Sequence, residues 1–259
     1  MQSTRLRGLL VALSLLAASA QAQDRFEIQV YDSETAPPLT PGIELHTNYS
    51  IQGSTEKTPE GELPTQHVAR ITFEPHLGLN DFSELGAYLQ TALQPSGKYD
   101  YAGIKLRFKL RYPHKFWDLL GLAVNFELSA IPATYEGNQW GSEIRPIVDL
   151  YWKRLYAAVN PILAIDLKGK DAGIPQLQPA AKIAINTFPG LQLGAEYYAG
   201  FGRITDPLPA AQQSHTIYGV VDFSSGYVDF NVGVGYGFSS ADRWVVKSIL
   251  GFHPKSDHW

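Results

Sequence analysis

Residues 101–112 read YAGIKLRFKLRY, and within them Lys105, Arg107, Lys109 and Arg111 take every second position while Ile104, Leu106, Phe108 and Leu110 fill the gaps. Period two is the strand period, so the cations share one face and the apolar groups the other. A helix would spread both sets around its circumference. Three settings accept such a strand: a sheet wetted on one face, an anion-binding surface, or a membrane barrel with a polar interior.

The rest of the chain decides between them. From Gly42 onward the same period recurs: Ile43, Leu45, Thr47, Tyr49 and Ile51 alternate with Glu44, His46, Asn48 and Ser50. Ala69, Ile71 and Phe73 alternate with Arg70, Thr72 and Glu74, and Leu120 to Leu128 follows the same rule. About twelve such segments run to Phe252, each near the roughly 9–11 residues a tilted strand needs to cross a bilayer. Strands of soluble sheets average only about 5–6 residues. The connections also alternate, long (QGSTEKTPEGELPT, IPATYEGNQW, GRITDPLPAAQQ) and short (LGLND, WKR, FPG, SSG), as in up-and-down outer-membrane barrels with short periplasmic turns and longer outer loops. The expected fold is all-β: an up-and-down antiparallel transmembrane β-barrel of about 12 strands, following a cleaved signal peptide.

That signal peptide is read from MQSTRLRGLLVALSLLAASAQAQ: Arg5 and Arg7, an apolar run, then small residues before Gln23. The expected organisation is a signal peptide over 1–22, a periplasmic leader or short plug over 23–41, the barrel over 42–252 and a tail over 253–259. No later apolar run is long enough for a helical span, which excludes a multi-helix membrane protein. The chain has no cysteine, so disulfide frameworks and thiolate metal sites are excluded. A net charge of −4 gives no bias toward nucleic acid, and none is expected as a partner.

Parity assigns the two faces. An Arg or Lys facing lipid at mid-bilayer costs about 2–4 kcal/mol, so Lys105, Arg107 and Lys109 are expected to face the lumen. The same reasoning places Glu44, His46, Arg70, Glu74, His76, Glu84, Glu127, Glu143, Arg145, Asp149, Lys182 and Glu196 there, with Asp166, Asp229 and Lys247 of like parity. Charges in a narrow lumen must pair or stay hydrated, so the basic comb is expected to be partly neutralised by Glu84 and Glu127 on flanking strands. Tyr49, Tyr112, Trp140, Trp152, Tyr197 and Trp244, near strand ends, are expected in the aromatic girdles.

The stretches EIQVYD (27–32), ELHTNY (44–49), NDFSELGAYLQTAL (80–93) and NFELS (125–129) resemble a family of uncharacterised Gram-negative outer-membrane barrels, similar to those linked to phenol meta-pathway degradation and described as transporters. The resemblance implies a barrel in the cell outer membrane and supplies neither an established substrate nor catalytic residues. The chain departs from the usual barrel ending: the alternation stops at Phe252, with HPKSDHW beyond.

Glu44, His46, Asn48 and Ser50 share a face, and His, Asn and Ser can build a hydrolase triad. Residues two apart on a strand lie about 6.6 Å apart, too far for a direct Ser–His bond, so a hydrogen-bonded lumen row is preferred and no catalytic residue is assigned. His46 and His76 with Glu44 or Glu74 have suitable donors for a metal but no recognised spacing; lumen hydrogen bonding is preferred, and neither metal nor cofactor is expected. GVGYG (233–237) lies in a strand pattern with no helix after it, so it is read as relief of lumen crowding, not as a phosphate loop. GKDAG (169–173) is too sparse in acids for calcium. The function expected is passive diffusion of small solutes through a polar, charged lumen, with an outer-membrane lipid hydrolase or a closed structural barrel as alternatives. The expected partners are outer-membrane lipid, small solutes and the barrel assembly machinery.

Overall fold

The computed structural model describes residues 24–113, 115–137 and 139–254, so the stretch expected to be a signal peptide and the last five residues of the expected tail lie outside the described residues. Sixteen strand segments follow in order: β1 Pro41–Gln52, β2 Ala69–Asn80, β3 Ser83–Leu93, β4 Tyr99–Arg111, β5 Leu120–Ala130, β6 Trp140–Trp152, β7 Leu155–Asn160, β8 Leu163–Asp166, β9 Pro175–Leu177, β10 Ala180–Phe188, β11 Leu191–Gly200, β12 Gly202–Arg203, β13 Asp206–Pro207, β14 Ser214–Ser224, β15 Val228–Ser239 and β16 Trp244–Phe252. Four pairs are single staves with a break in the ladder, since β7 and β8 both pair with β6, and β9–β10, β11–β12 and β13–β14 continue one another along their neighbours. Twelve antiparallel staves result, and β1 pairs β16 from Ile43↔Phe252 to Gln52↔Trp244, closing the sheet into a barrel.

Closure removes the sheet edges, and the burial pattern is inverted relative to a soluble barrel. Along β4, Ile104 and Leu106 are exposed on the outer surface while Lys105, Arg107 and Lys109 are buried. Leu85, Leu128, Ile183, Leu193, Ile217 and Val234 likewise face outward, and Arg145, Lys247, Glu74 and Glu196 are enclosed. An apolar girdle around a charged interior is the solution that lipid imposes. Among the described residues no helix is long and apolar enough to cross a membrane, which says nothing of a β-barrel.

One end carries the longer connections, 53–68, 131–139 and 167–174, and the other the short turns at 81–82, 153–154, 189–190 and 225–227. Two glycines are needed where they sit. Gly103 (φ 133°) makes a bulge in β4, so that Ala102 and Gly103 both turn inward and the comb keeps its register behind Tyr101. A Cβ on Gly235 would lie 2.3 Å from the Tyr218 ring, so the middle glycine of GVGYG makes room for an interior tyrosine.

Candidate functional site

The stretch for which the sequence left a periplasmic leader and a short plug open runs inside the barrel. Asp24 lies near the long-loop end, where Arg25 pairs with Glu62 at 3.2 Å. Its other end reaches the short turns, where Leu39 N donates to Gly78 O and the carbonyls of Ala36 and Pro37 press on Gly78. This segment is extended but belongs to no sheet ladder, so its buried peptide groups need other partners. Wall side chains provide them. Thr72 Oγ1 donates to Phe26 O, Lys247 Nζ to Ile28 O at 2.9 Å, and Asn48 Nδ2 to Arg25 O. Asn160 takes both ends of one residue, accepting from Tyr31 N at 2.7 Å and donating to Tyr31 O at 3.0 Å. Asp149 accepts from Ser33 N, and Glu84 from Ala36 N at 2.6 Å.

The basic comb meets acids from two sources. Lys105 pairs with Asp24 and Glu27 of the segment and with Glu127 of β5 at 3.3 Å. Arg107 bridges Glu74 at 2.8 Å and Glu84 at 2.7 Å. Lys109 lies 3.6 Å from Asp32 and donates to Glu34 O, and Arg111 pairs with Glu34. Arg145 on β6 joins Glu27 at 3.5 Å to Glu143 at 2.6 Å. At the centre stands Tyr31, whose ring faces Arg145, Lys109 and Arg107 at 4.6, 5.4 and 5.5 Å. Its hydroxyl donates to Glu27 at 2.7 Å and lies 2.8 Å from Tyr88 Oη. Such buried pairs hold a unique arrangement more than they add net stability, because each ion gave up its hydration.

The wall from β10 to β16 is different in kind. Ile28 and Val30 of the segment join a buried cluster with Tyr156, Ala158, Ala180, Ala184, Tyr198, Tyr218, Val220 and Val245. Its cations are neutralised: Lys182 by Asp222 at 2.7 Å and Glu196 at 3.5 Å, Lys247 by Glu196. A cavity of about 210 Å³ opens along this wall toward the short turns, lined by Tyr151, Tyr156, Lys182, Glu196, Asp222, Ile249 and others. A second, of about 50 Å³, lies toward the long loops between Ile28, Ser50, Thr216, Tyr218, Asp242 and Val245. Ile28, Tyr198, Tyr218, Val245 and the Lys247–Glu196 pair stand between the two.

The lumen residues named from parity fall as follows. His46, Arg70, Glu74, Glu84, Lys105, Arg107, Lys109, Glu127, Arg145, Asp149 and Glu196 are buried inside the barrel, and Glu44, His76, Glu143 and Lys182 are partly buried there. Tyr49, Tyr112, Trp140, Trp152, Tyr197 and Trp244 are exposed on the outer surface. Trp140 and Trp152, at opposite ends of β6, each carry a lysine ammonium over the ring, Lys168 at 5.3 Å and Lys153 at 5.0 Å, as snorkelling at two interfaces would place them. The triad residues are not assembled. Ser50 Oγ donates to Asp242 at 2.8 Å and accepts from Arg70, whereas His46 Nε2 lies 2.9 Å from Glu74. His46 and His76 are also apart, being opposite Thr72 and Gly42 in the β1–β2 register. The residues that parity did not name are those of the segment, with Asn160, Tyr198 and Tyr218. One signal was present: acids at 24, 27, 32 and 34 complement cations at 105, 107, 109 and 111.

No family model matches the sequence, and no curated protein matches it significantly. Solved structures share its architecture. An outer-membrane channel from Pseudomonas putida F1 superposes with a TM-score of 0.59 at 10% identity, over 88% of this chain and 100% of that one. The fold is that of an outer-membrane β-barrel. KdgM porin gives 0.53 at 12% identity over 84% of this chain and 99% of its own. The CymD monoaromatic hydrocarbon channel gives 0.50 at 8%, over 94% and 99%. At these identities the likeness is one of backbone architecture.

Proposed function

We propose that this protein is an outer-membrane channel through which small solutes diffuse passively along the β10–β16 wall, with the lumen segment as its gate. The observation that carries this reading is the unequal hold on the segment: ion pairs tie it to the β1–β6 wall, whereas on the opposite wall it meets an apolar cluster and one lysine beside a cavity of about 210 Å³. Passage needs Ile28 and Val30 to withdraw from the tyrosine collar and Lys247 to release the Ile28 carbonyl, without the charge separation that leaving the comb would require. Selectivity follows from constriction size and the lining at that collar.

The lining favours compact solutes with an aromatic body and one or two polar groups. Tyr156, Tyr198 and Tyr218 offer ring faces and edges, while Lys182 and Lys247 are already matched to carboxylates and leave no free cation for a polyanion. The architectural neighbour described as a monoaromatic hydrocarbon channel supports the same class. A porin of this fold in complex with oligogalacturonate represents the polyanionic alternative.

Planar-bilayer recordings test the channel. The full chain is expected to give small, brief steps, and a variant lacking residues 24–35 larger and longer ones. Silence from both proteins, each shown to be folded by its heat-dependent gel mobility, overturns the reading. Proteoliposome uptake tests the solute class: phenol-like solutes should enter faster than sugar acids of equal mass, and the reverse order removes that part of the proposal.

A further inference from the structure

Glu44 of β1 and Glu74 of β2 are direct partners across the strand pair, and both turn into the barrel. Like charges directly opposite destabilise a sheet, and here Glu74 is wholly enclosed, so a cation has to sit beside the pair. His46 is placed for that. Its ring is fully buried, with Nε2 2.9 Å from Glu74 Oε2 and 3.4 Å from Glu44 Oε2. One nitrogen and two carboxylate oxygens thus lie within 4.8 Å of one another.

These separations suit a metal ion as well as a proton. Tetrahedral zinc, with bonds of about 2.0–2.1 Å to imidazole and carboxylate, holds neighbouring ligand atoms about 3.3 Å apart. The His46–Glu44 separation already has that value, and the His46–Glu74 separation needs to open by a few tenths of an ångström. Glu74 is oriented from behind by Arg107, 2.8 Å from its other oxygen, as an outer-shell partner orients a ligating carboxylate. On the lumen side, Gln29 Nε2 donates to Glu44 at 3.4 Å while its Oε1 is enclosed with no partner. A half-turn of that amide presents an oxygen to the same site. A cavity of about 140 Å³ bordered by Gln29, Glu44, His76 and Arg107 leaves space for a water ligand.

We propose that Glu44, His46 and Glu74 form a binding site for a divalent transition-metal ion, with zinc the best match, and that Gln29 joins the lumen segment to it. The imidazole disfavours calcium and magnesium, which prefer oxygen ligands alone. A metal here links β1 and β2 to the segment that fills the lumen, on the same side as the charged comb.

The test uses untagged, chelator-treated full-length protein in detergent, titrated with zinc chloride by calorimetry and, in parallel, with cobalt for its visible spectrum. One ion per chain is expected, with a cobalt spectrum of low coordination number and no competition from calcium. Glu44→Gln, at the partly exposed edge, and His46→Gln should each weaken binding by roughly ten-fold or more. Gln29→Leu should weaken it less, and His253→Ala, whose ring pairs with Asp229, should leave it unchanged. The site is refuted if the folded chain binds no zinc, if Glu44→Gln and His46→Gln both leave binding intact, or if His253→Ala abolishes it. An unchanged affinity in Gln29→Leu removes the segment from the site.

Discussion

The two walls of this barrel hold one segment by opposite means. Against β1–β6 it is held by buried charges, with Lys105, Arg145 and Lys109 facing Asp24, Glu27, Asp32 and the Glu34 carbonyl. Against β10–β16 it is held by Ile28 and Val30 packed on tyrosines and small residues, with one lysine on the Ile28 carbonyl. Strong but directional contacts fix where the segment lies, and weaker, non-directional ones leave a side that can open. An anchored plug with one soft face follows from this division, and each variant below tests one face against the other.

The largest effect is expected from Arg145→Ala. Removing this wholly buried guanidinium strands Glu27 and Glu143 without their shared counter-charge and takes away the cation beneath Tyr31. Losing one partner of a buried ion pair costs about 3–5 kcal/mol. Thermal unfolding in detergent should fall accordingly; a loss below about 1 kcal/mol would mean that water already enters the charged wall. Replacing Arg145 and Glu27 together, by Met and Gln, should recover part of the loss, because no lone charge then remains on that pair.

On the soft wall the expected costs are smaller. Gly235→Ala would bring a Cβ to 2.3 Å from the Tyr218 ring, forcing the collar to repack at a cost of about 1–3 kcal/mol. Since Tyr218 borders the outer cavity, the channel reading also expects a changed unit conductance, which Arg145→Ala need not give. Lys247→Met tests a polar tie on this side. The Ile28 carbonyl loses its donor and Glu196 keeps Lys182 and the Tyr198 hydroxyl, so longer openings in bilayer recordings are expected, and unchanged open times would show that Lys247 does not restrain the segment.

Much of this architecture is legible in the sequence, and its limits have physical causes. Period two marks the staves because every residue faces either lipid or lumen, and charge says which: Lys105, Arg107 and Lys109 could not face acyl chains. Pairing of the comb with Glu84 and Glu127 follows from strand adjacency, and the structure has Arg107 on Glu84 and Lys105 on Glu127. The position of residues 24–40 does not follow from local pattern. Their alternation, Glu27 and Tyr31 against Ile28 and Val30, would suit a free arm as well as a lumen segment, and their partners lie up to 219 residues away, as for Ile28 and Lys247. Only complementarity of the acids at 24–34 to the comb carries that information. Breaks are likewise hidden: the ladder interruptions between β7 and β8 and between β9 and β10 fall at Pro161 and Pro179, residues that cannot donate to a neighbour.

The smallest effect belongs to the long-loop mouth above the charged wall. Glu136, in the connection 131–139, borders a small cavity with Asp24, Lys105, Glu127 and Glu143, and its Oε2 is enclosed without a partner. Burial, reinforced by the Asp24 carboxylate, pushes its carboxyl from the ordinary 4.5 up to about 8. A raised acid favours the folded loop while it stays protonated: the contribution is complete below about pH 4.5 and is lost as pH rises through about 8. Between those limits the loop should therefore loosen with rising pH, visible as falling amide protection around Tyr135 and Gly137 relative to the base-catalysed intrinsic exchange rate. Glu136→Gln, neutral at every pH, should flatten that dependence. If the pH dependence survives in Glu136→Gln, another group at the mouth carries it.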